Sequence, residues 1–347
     1  MKDDFFVGID TSNYTTSMAV CSRDGEILAN LKQPLTVGHG ERGLRQSEAV
    51  FQHTKNLEKM YERLIGVTDS LGTVLAVGAS FAPRNAPDSY MPCFLVGKDA
   101  ALGYAAGARV PAWMFSHQEG HVMAALYSAS HPTAAAAGAA DAEALLNAPM
   151  AAFHVSGGTT EMLLVEPKQA GFSIRKIGGT ADLNAGQVID RVGVAMGLDF
   201  PCGAAMERLA AENELPVPPR HICVKKGENV LCCFSGLENL ALGLLAKTEN
   251  RACVSAFVLD FIAETLDKMT DSLRRRDPNI PVLYAGGVMS NRRIQQKLSC
   301  RPNVWFSEPA FSADNAAGIA LLCRRRYFME ANETEANACS LVKQSRE

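Results

Sequence analysis

The sequence lacks the cysteine pairs of a zinc ribbon or a thiol redox protein. Its ten cysteines include no C-x-x-C pair. Several of them, such as Cys232, Cys253 and Cys323, lie within apolar runs instead. This scatter is typical of reduced thiols packed in a core, so we expect a cytoplasmic protein.

Long hydrophobic runs are also missing. The apolar run that follows the first four residues is only a few residues long, and no other stretch is long enough to span a bilayer. A signal sequence or a transmembrane helix needs a longer run. The sequence therefore predicts neither.

The chain has no overall excess of positive charge. Its formal net charge is -3 at pH 7, which argues against a surface that is basic throughout but allows a local patch for a nucleic acid. The candidate patches are the arginines within 274–276, 292–293 and 324–326. Alternatively, these arginines lie at solvated helix ends, where cations complement the helix dipole.

The H-E-x-x-H motif of a zinc protease is absent as well. In that motif the glutamate directly follows the first histidine and faces the metal-bound water. Here Glu119 comes two residues after His117, so a helix would turn it to another side. The sequence therefore disfavours a metalloprotease.

A pair of histidines at helical spacing is the most informative motif that is present. His117 and His121 are four residues apart, which places both imidazoles on one face of a helix, within reach of one cation. The best third donor is Asp314, in a polar loop that leads into an apolar helix. Two nitrogens and one oxygen with open coordination positions suit iron(II), zinc or manganese. The other interpretation is that the histidines cap or pack their own helix.

A faint internal duplication organises the chain. Three strands joined by polar turns are predicted twice, and a helix and a further strand follow each set. The first set comprises strands 5–10, 15–21 and 26–31, helix 46–65 and strand 73–77. The second set comprises strands 151–155, 160–165 and 172–177, helix 254–275 and strand 282–285.

This duplication predicts an α/β protein with two lobes and a nucleotide cleft between them. With 347 residues, 47% of them hydrophobic, the chain is large enough for two cores. We place lobe I at 1–130, a linker with a short helix (141–146) at 131–150, and lobe II at 151–313. A C-terminal helix at 314–330 completes lobe I, and the polar tail beyond it is expected to fray.

Each copy carries a polar hairpin turn suited to a phosphate chain. Glycines leave backbone N–H groups uncovered, and hydroxyls add further donors to anionic oxygens. The first turn contains Asp10, Thr11, Ser12 and Asn13. The second contains Val155, Ser156, Gly157, Gly158 and Thr159. Either turn alone is also compatible with a simple hairpin connection.

Lobe II adds further candidates for binding a nucleoside. Asn184 is a suitable cap for a helix that carries Asp190, and a carboxylate in that position can accept both hydroxyls of a ribose. Gly286 and Gly287 follow a buried strand, where the missing side chains let a ring or phosphate approach the backbone. The alternatives are an exposed helical acid and glycines that serve only to turn the chain.

Taken together, these motifs resemble the TsaD/Gcp family over nearly the whole chain. The similarity rests on the H-x-x-x-H pair, the V-S-G-G turn, F-S-G-L at 234–237, Asp190 with Gly203, A-G-G-V with Asn291, and S-A-D-N-A-A at 312–317. Members of this family are regarded as tRNA N6-threonylcarbamoyladenosine synthases and were formerly called O-sialoglycoprotein endopeptidases. The resemblance implies the duplicated actin/hexokinase/Hsp70-like fold.

The same resemblance implies an activity, ligands and partners. It implies a divalent metal held by His117, His121 and Asp314. ATP or an acyl-adenylate would be held by 155–159, Asp190, Gly203 and Asn291, together with Gly286 and Gly287. The reaction would move a threonylcarbamoyl group from its adenylate to N6 of the adenosine beside the tRNA anticodon. TsaB- and TsaE-like proteins would be partners, and a TsaC-like protein would supply the adenylate.

The chain departs from the family pattern close to these positions. Thr159 stands where the family has a histidine, and Leu183 and Gln187 replace acidic residues. An amide still forms hydrogen bonds but cannot take a proton. The alternative function is therefore a paralogue that binds metal and nucleotide as a non-catalytic scaffold, or that acts on another acyl-adenylate.

Overall fold

The computed structural model describes residues 3–12, 14–37, 44–131, 145–225, 227–312, 314 and 316–344, with side chains up to residue 332. The chain forms two compact units. Unit 1 comprises Met1–Tyr127, Pro167–Ser173 and Asp314–Glu347. Unit 2 comprises Ser128–Glu166 and Ile174–Ala313.

Both units combine strands and helices. The strands are β1 (Phe5–Asp10), β2 (Thr15–Ser22), β3 (Ile27–Pro34), β4 (Val74–Ala82), β5 (Ala112–Ser116), β6 (Met150–Val155), β7 (Thr160–Lys168), β8 (Gly171–Thr180), β9 (Val230–Cys232), β10 (Val282–Ala285) and β11 (Val304–Phe306). The helices are α1 (Gln46–Thr68), α2 (Cys93–Ala108), α3 (His117–Ser130), α4 (Ala185–Ala195), α5 (Gly203–Ala211), α6 (Ser235–Thr248), α7 (Arg251–Arg274), α8 (Arg292–Leu298), α9 (Pro309–Ser312) and α10 (Ala317–Gln344). A short 3-10 helix covers Gly287–Ser290.

The two sheets repeat one topology. The first has the order β3-β2-β1-β4-β5, and the second contains the matching series β8-β7-β6-β10-β11, with β9 added beside β8. In the first sheet β1 pairs antiparallel with β2 and parallel with β4, and in the second sheet β6 pairs antiparallel with β7 and parallel with β10. The duplicated α/β architecture predicted from the sequence is confirmed.

Residues of β1 alternate between the two faces of the first sheet. Phe5, Val7 and Ile9 join the core that α1 and α2 cover, which includes Met60 and Ala101. The intervening positions face α10, and the next residue on that face is Asp10. Strand alternation therefore brings an acidic side chain to the α10 side at the end of β1.

The core of unit 2 is built around α7. Most of this helix is buried, from Cys253 to Leu273, because its apolar residues surround the helix instead of forming one stripe. It packs on α5, α6 and α8. Stacked rings of Phe153, Tyr284 and Phe306 join β6, β10 and β11.

The structure adds detail to the boundaries proposed from the sequence, which remain predictions. The turn between β7 and β8 belongs to unit 1, whereas the sequence placed it in lobe II. Helix α10 continues past residue 330, because no glycine or proline follows there to end it. Most of the short helix expected at 141–146 lies outside the described residues. Within the described part of the chain, every helix is too short or too polar to cross a lipid bilayer.

Candidate functional site

The two histidines lie in the first two turns of α3, directly after β5. Their ring centroids are 4.2 Å apart, and their Nε2 atoms are separated by 2.8 Å. Two imidazole nitrogens at that distance either share one proton or direct their lone pairs at one cation. The helical spacing therefore places both rings as the sequence predicted.

Asp314 completes the cluster from the segment that precedes α10. Its Oδ1 lies 3.4 Å from Nε2 of His117 and 3.3 Å from Nε2 of His121. All three ligand atoms lie within 4.8 Å of one another. The structure thus brings together the three residues predicted to bind a metal, although almost two hundred residues separate Asp314 from the histidines.

Asp10 lies behind His117 and fixes its orientation. Its Oδ2 is 3.0 Å from Nδ1 of His117 and accepts a hydrogen bond from Ser12 Oγ at 2.8 Å. Ser80 Oγ donates to the other carboxylate oxygen. A carboxylate bonded to the far nitrogen of a histidine sets its tautomer and makes the remaining nitrogen a better ligand. Asp10 and Ser80 therefore support the cluster from outside it.

The electrostatics of the cluster follow from these contacts. Burial alone would lower the pKa of His117, but the charge and hydrogen bond of Asp10 raise that pKa to about 10. Burial alone would raise the pKa of Asp314, but hydrogen bonds from His117 and His121 keep it well below its usual range. A proton and a metal cation compete for the same imidazole nitrogens, so binding of the metal releases protons.

The donor set fits a divalent first-row cation. Ligand atoms at about 2.1 Å from one ion lie roughly 3.0 to 3.4 Å from each other, and the observed separations of 2.8 to 3.4 Å match that spacing. Two imidazoles and one carboxylate leave coordination positions for a substrate oxygen.

A close approach of two backbones holds the cluster together. Gly120 lies between the two histidines on α3, and Gly318 lies one turn after Asp314. A Cβ atom added to Gly318 would lie 1.8 Å from the carbonyl oxygen of Gly120. Only glycine fits at position 318, and this contact was not recognised from the sequence. The signal was available, because a glycine inside a helical pattern often marks such an approach.

The side chains of the first predicted phosphate turn are engaged within unit 1. Thr11 Oγ1 donates to the carbonyl of Cys93 and accepts from the amide of Gly97 on α2. Asp10 and Ser12 are fully buried in the contacts described above. Asn13 lies outside the described residues. A phosphate role for this turn remains a prediction.

The second predicted turn joins β6 to β7. The amide of Ser156 donates to the carbonyl of Thr159 at 2.8 Å, and a Cβ atom on Gly157 or Gly158 would meet nothing within 4 Å. The side chain of Asn184 donates to the carbonyl of Gly158 and anchors the turn beside α4. Gly157 and Gly158 are exposed, while Val155 before them is buried. A phosphate role for this turn remains a prediction.

Asp190 and this turn line one cavity within unit 2. The cavity has a volume of about 710 Å³, and its walls include Gly157, Gln187 and Asp190. Oδ1 of Asp190 accepts from the amide of Cys202 at 2.8 Å, at the start of α5, where Gly203 follows. The structure thus assembles the predicted ribose acid and the glycine turn around one space of ligand size.

The remaining predicted residues lie on neighbouring elements. Gly286 has a φ of 103°, and a Cβ there would come within 2.3 Å of the Val155 carbonyl oxygen, so glycine is required. Gly287 begins the 3-10 helix. Asn291 caps α8 by accepting from the amide of Ile294. The ligand role assigned to Asn291 stays a prediction beside this structural one.

One carboxylate anchors the short loop that precedes α4. The carboxylate of Asp182 accepts from the amides of Leu183, Phe234 and Ser235 at 2.6 to 3.1 Å. Burial would raise its pKa, but the hydroxyl of Ser235 and these amides lower it to about 2. Asp182 therefore ties the β8–α4 loop to the start of α6.

The contribution of Asp182 should disappear in acid. Its folded pKa lies below the ordinary value of 3.8, so the stabilisation is present above about pH 4 and is lost as the pH falls towards 2. We expect Asp182→Asn to unfold at a lower urea concentration than the parent at pH 7, with the difference shrinking near pH 2.5. An equal difference at both pH values would contradict this role.

Three arginines of the predicted basic patches serve the fold of unit 2. Arg274 donates to the carbonyls of Pro302 and Asn303, and Arg276 donates to that of Glu228. Arg293 forms a two-point ion pair with the buried Asp260. For these three arginines, a structural role fits better than a free nucleic-acid patch.

Comparison with known proteins identifies the family. A family model described as "TsaD: tRNA N6-adenosine threonylcarbamoyltransferase" matches residues 47–321, which is most of the chain. This chain belongs to the TsaD family. The family is one of acyltransferases, so the predicted enzyme class is confirmed.

Curated relatives support the assignment along the full length. The tRNA N6-adenosine threonylcarbamoyltransferase of Streptococcus suis is 27% identical over 95% of this chain and 94% of its own. The protein of the same name from Thermus thermophilus is 29% identical over 94% and 93%. The similarity therefore covers both units.

Solved structures of HypF share the fold. The T. kodakarensis protein matches with a TM-score of 0.58 at 12% identity, over 95% of this chain and 48% of that chain. A full-length HypF in the phosphate- and nucleotide-bound form gives 0.55 at 13% identity, over 95% and 46%. This chain spans about half the length of the HypF chains. The fold class expected from the sequence, the actin/hexokinase/Hsp70-like fold, is confirmed.

Proposed function

We propose that this protein is a metal-dependent enzyme that transfers a threonylcarbamoyl group from threonylcarbamoyl-adenylate to N6 of the adenosine beside the tRNA anticodon. The convergence of His117, His121 and Asp314 in a member of the TsaD family carries this proposal. A carbon–nitrogen bond forms at N6, the bond from the carbamoyl carbon to the phosphate oxygen breaks, and AMP leaves with that electron pair. The amine gives up one proton.

The residues of unit 1 would bind the metal ion and hold its ligands in place. His117, His121 and Asp314 would hold iron(II), zinc or manganese, and the bound ion would supply Lewis-acid stabilisation of anionic oxygens. Asp10 keeps a proton on Nδ1 of His117, so that Nε2 stays available as a ligand. Ser80 and Ser12 hold the Asp10 carboxylate in place. This preorganisation lets charge develop without rearrangement of the protein.

The residues of unit 2 would hold the nucleotide part of the adenylate. Gly157 and Gly158 are exposed and carry no side chain, so phosphate oxygens can approach the backbone of this turn. Asp190 lines the same cavity as Gly157 and retains one carboxylate oxygen for ribose hydroxyls. Binding a reactant in a fixed orientation accounts for a large part of the acceleration of a transfer to a poor nucleophile.

A transfer assay with purified components tests the proposal. Threonylcarbamoyl-adenylate, labelled in its threonine, is mixed with unmodified tRNA and the protein, with TsaB- and TsaE-like proteins added. We expect label in the tRNA and release of AMP, loss of both after treatment with a chelator, and recovery when a divalent metal is restored. Binding of nucleotide and metal without transfer to any tRNA would instead favour the non-catalytic scaffold.

The amide at position 187 offers a direct test of the departures from the family. Gln187 accepts from the amide of Asn184 at 3.0 Å in the first turn of α4 and lines the cavity. A glutamate would keep that hydrogen bond and favour the helix N-terminus by about 0.3 to 1 kcal/mol. A glutamate would also restore a side chain that can take a proton. If proton transfer at this position limits the reaction, we expect the rate of transfer to rise about a hundredfold.

We therefore expect Gln187→Glu to raise both the urea midpoint and the rate of transfer. The matched control is Gln296→Glu on α8, away from the cavity walls. An unchanged rate together with a raised midpoint would mean that no step of the transfer needs a carboxylate at position 187.

Partners and location follow from the same proposal. The substrate is tRNA, and the family resemblance suggests TsaB- and TsaE-like partners. Since tRNA modification of this kind uses a soluble adenylate, we place the protein in the cytoplasm.

A further inference from the structure

Glu119 is a buried carboxylate that the proposed chemistry does not use. It lies on α3 between His117 and His121 and is 7% exposed. Its Oε2 accepts from both the amide and the hydroxyl of Ser116 at 2.8 Å, and the Ser116 hydroxyl accepts from the amide of Glu119. This reciprocal pair is a capping box. It fixes the first turn of the helix, where His117 is the first residue.

The other oxygen of Glu119 reaches a different element. Oε1 accepts from the amide of Phe172, the second residue of β8, at 3.1 Å. A Cβ atom on Gly171 would come within 2.4 Å of Oε1. The turn therefore passes Glu119 so closely that only glycine allows the contact at position 171.

The same turn also contacts α10. The guanidinium of Arg325 lies over the ring of Phe172, 5.8 Å from its centroid, and Arg326 donates to Oε1 of Gln169 at 3.4 Å. The β7–β8 turn, defined here as residues 169–172 and so including the first two residues of β8, thus contacts both helices beside the three candidate metal ligands. Helix α3 carries the two histidines, and α10 directly follows Asp314.

We propose that Glu119 is a positioning residue for the metal centre, acting through the Ser116 capping box and the β7–β8 turn. With both carboxylate oxygens accepting hydrogen bonds inside unit 1, Glu119 sets where the histidines face and how α3 stands against α10. The inference deepens the proposed function and rests on its metal site. Removing a residue that orients a metal ligand typically lowers metal affinity by about 10- to 100-fold.

Two variants disturb this contact from opposite sides without changing a metal ligand. Glu119→Gln leaves one acceptor oxygen for two donor sites, so either Ser116 or Phe172 loses its partner. Gly171→Ala keeps the carboxylate but displaces its Oε1. The matched controls are Glu58→Gln, on the exposed side of α1, and Gly66→Ala, where a Cβ meets nothing within 4 Å.

Cobalt(II) serves as the probe, because its visible absorption depends on the ligands around it. Its dissociation constant is measured by competition with a chelator, beside the absorption spectrum and the unfolding temperature with and without the metal. We expect both variants to bind cobalt(II) about 10- to 100-fold more weakly with an altered spectrum, and both controls to behave as the parent. The metal should also stabilise the variants less against unfolding than it stabilises the parent.

The outcomes separate this inference from the proposed function. If the variants unfold at lower temperature but keep the parent's cobalt(II) affinity and spectrum, Glu119 has only a structural role and the inference is overturned. If the parent binds no cobalt(II), zinc or iron(II), the proposed metal centre falls and the inference falls with it. Loss of transfer with unchanged cobalt(II) binding would also overturn the positioning role.

Discussion

His121→Ala is expected to abolish tight metal binding and to reduce threonylcarbamoyl transfer by about a thousandfold. The Nε2 atom of His121 lies 2.8 Å from that of His117 and 3.3 Å from Oδ1 of Asp314, so its loss leaves a cation with two donors. Lewis-acid stabilisation by a bound cation is worth several kcal/mol, and about 1.4 kcal/mol corresponds to a tenfold change in rate. The measurements are metal content after dialysis and single-turnover transfer of label to tRNA.

The fold should survive this change. His121 is partly exposed at the cluster, and an alanine there continues α3 with higher helix propensity. The matched control is His221→Ala, an exposed histidine of unit 2, which should transfer at the parent's rate. If His121→Ala retained both metal and rate, the cluster would not be the centre of the reaction.

Most of the fold is predictable from local patterns in the sequence. The strands expected at 5–10 and 151–155 appear as Phe5–Asp10 and Met150–Val155, because buried strands form short apolar runs that polar turns interrupt. The repeat of one strand order in both sheets follows from the duplication of these runs. The extent of α10 was missed, because the acidic and amide residues after 330 suggested a loop although none of them ends a helix.

The three candidate metal ligands can be predicted from the sequence, but most of the residues that hold them in place cannot. His117 and His121 share a face through helical spacing alone, whereas Asp314 came from its loop and from the family resemblance. The supporting role of Asp10 depends on strand register, which pairs β1 with β2 and β4 and places Ser80 beside it. The capping box of Ser116 and Glu119 could be read from the S-x-x-E spacing. Its link to Phe172 depends on tertiary packing.

Gly318→Ala should have the largest effect on the stability of unit 1. A Cβ atom there would lie 1.8 Å from the carbonyl oxygen of Gly120 and 2.9 Å from the amide of Ala124. Both obstacles are backbone atoms within α3, so no side chain can rotate away. Helices α3 and α10 must move apart, which we expect to cost about 4 kcal/mol or more in the free energy of unfolding.

The same substitution on the facing helix, at Gly120, provides an internal comparison. A Cβ on Gly120 would meet mainly the end of the Ile319 side chain, at 2.9 Å, and that side chain can adjust. Gly120→Ala should therefore cost only about 1 kcal/mol. Gly103→Ala on α2 meets nothing within 4 Å and should be neutral or slightly stabilising. Urea unfolding of the three variants gives the order directly.

The separation of the helices should also be visible at the metal centre. Asp314 lies one turn before Gly318, so pushing α10 away from α3 moves the carboxylate away from both imidazoles. A displacement of about 1 Å is enough to spoil a ligand set that must hold its geometry within about 0.5 Å. We expect any folded Gly318→Ala protein to bind cobalt(II) at least a hundredfold more weakly than Gly120→Ala. Equal affinity in the two would mean that the cluster tolerates movement of α10, and that the glycine contact serves packing alone.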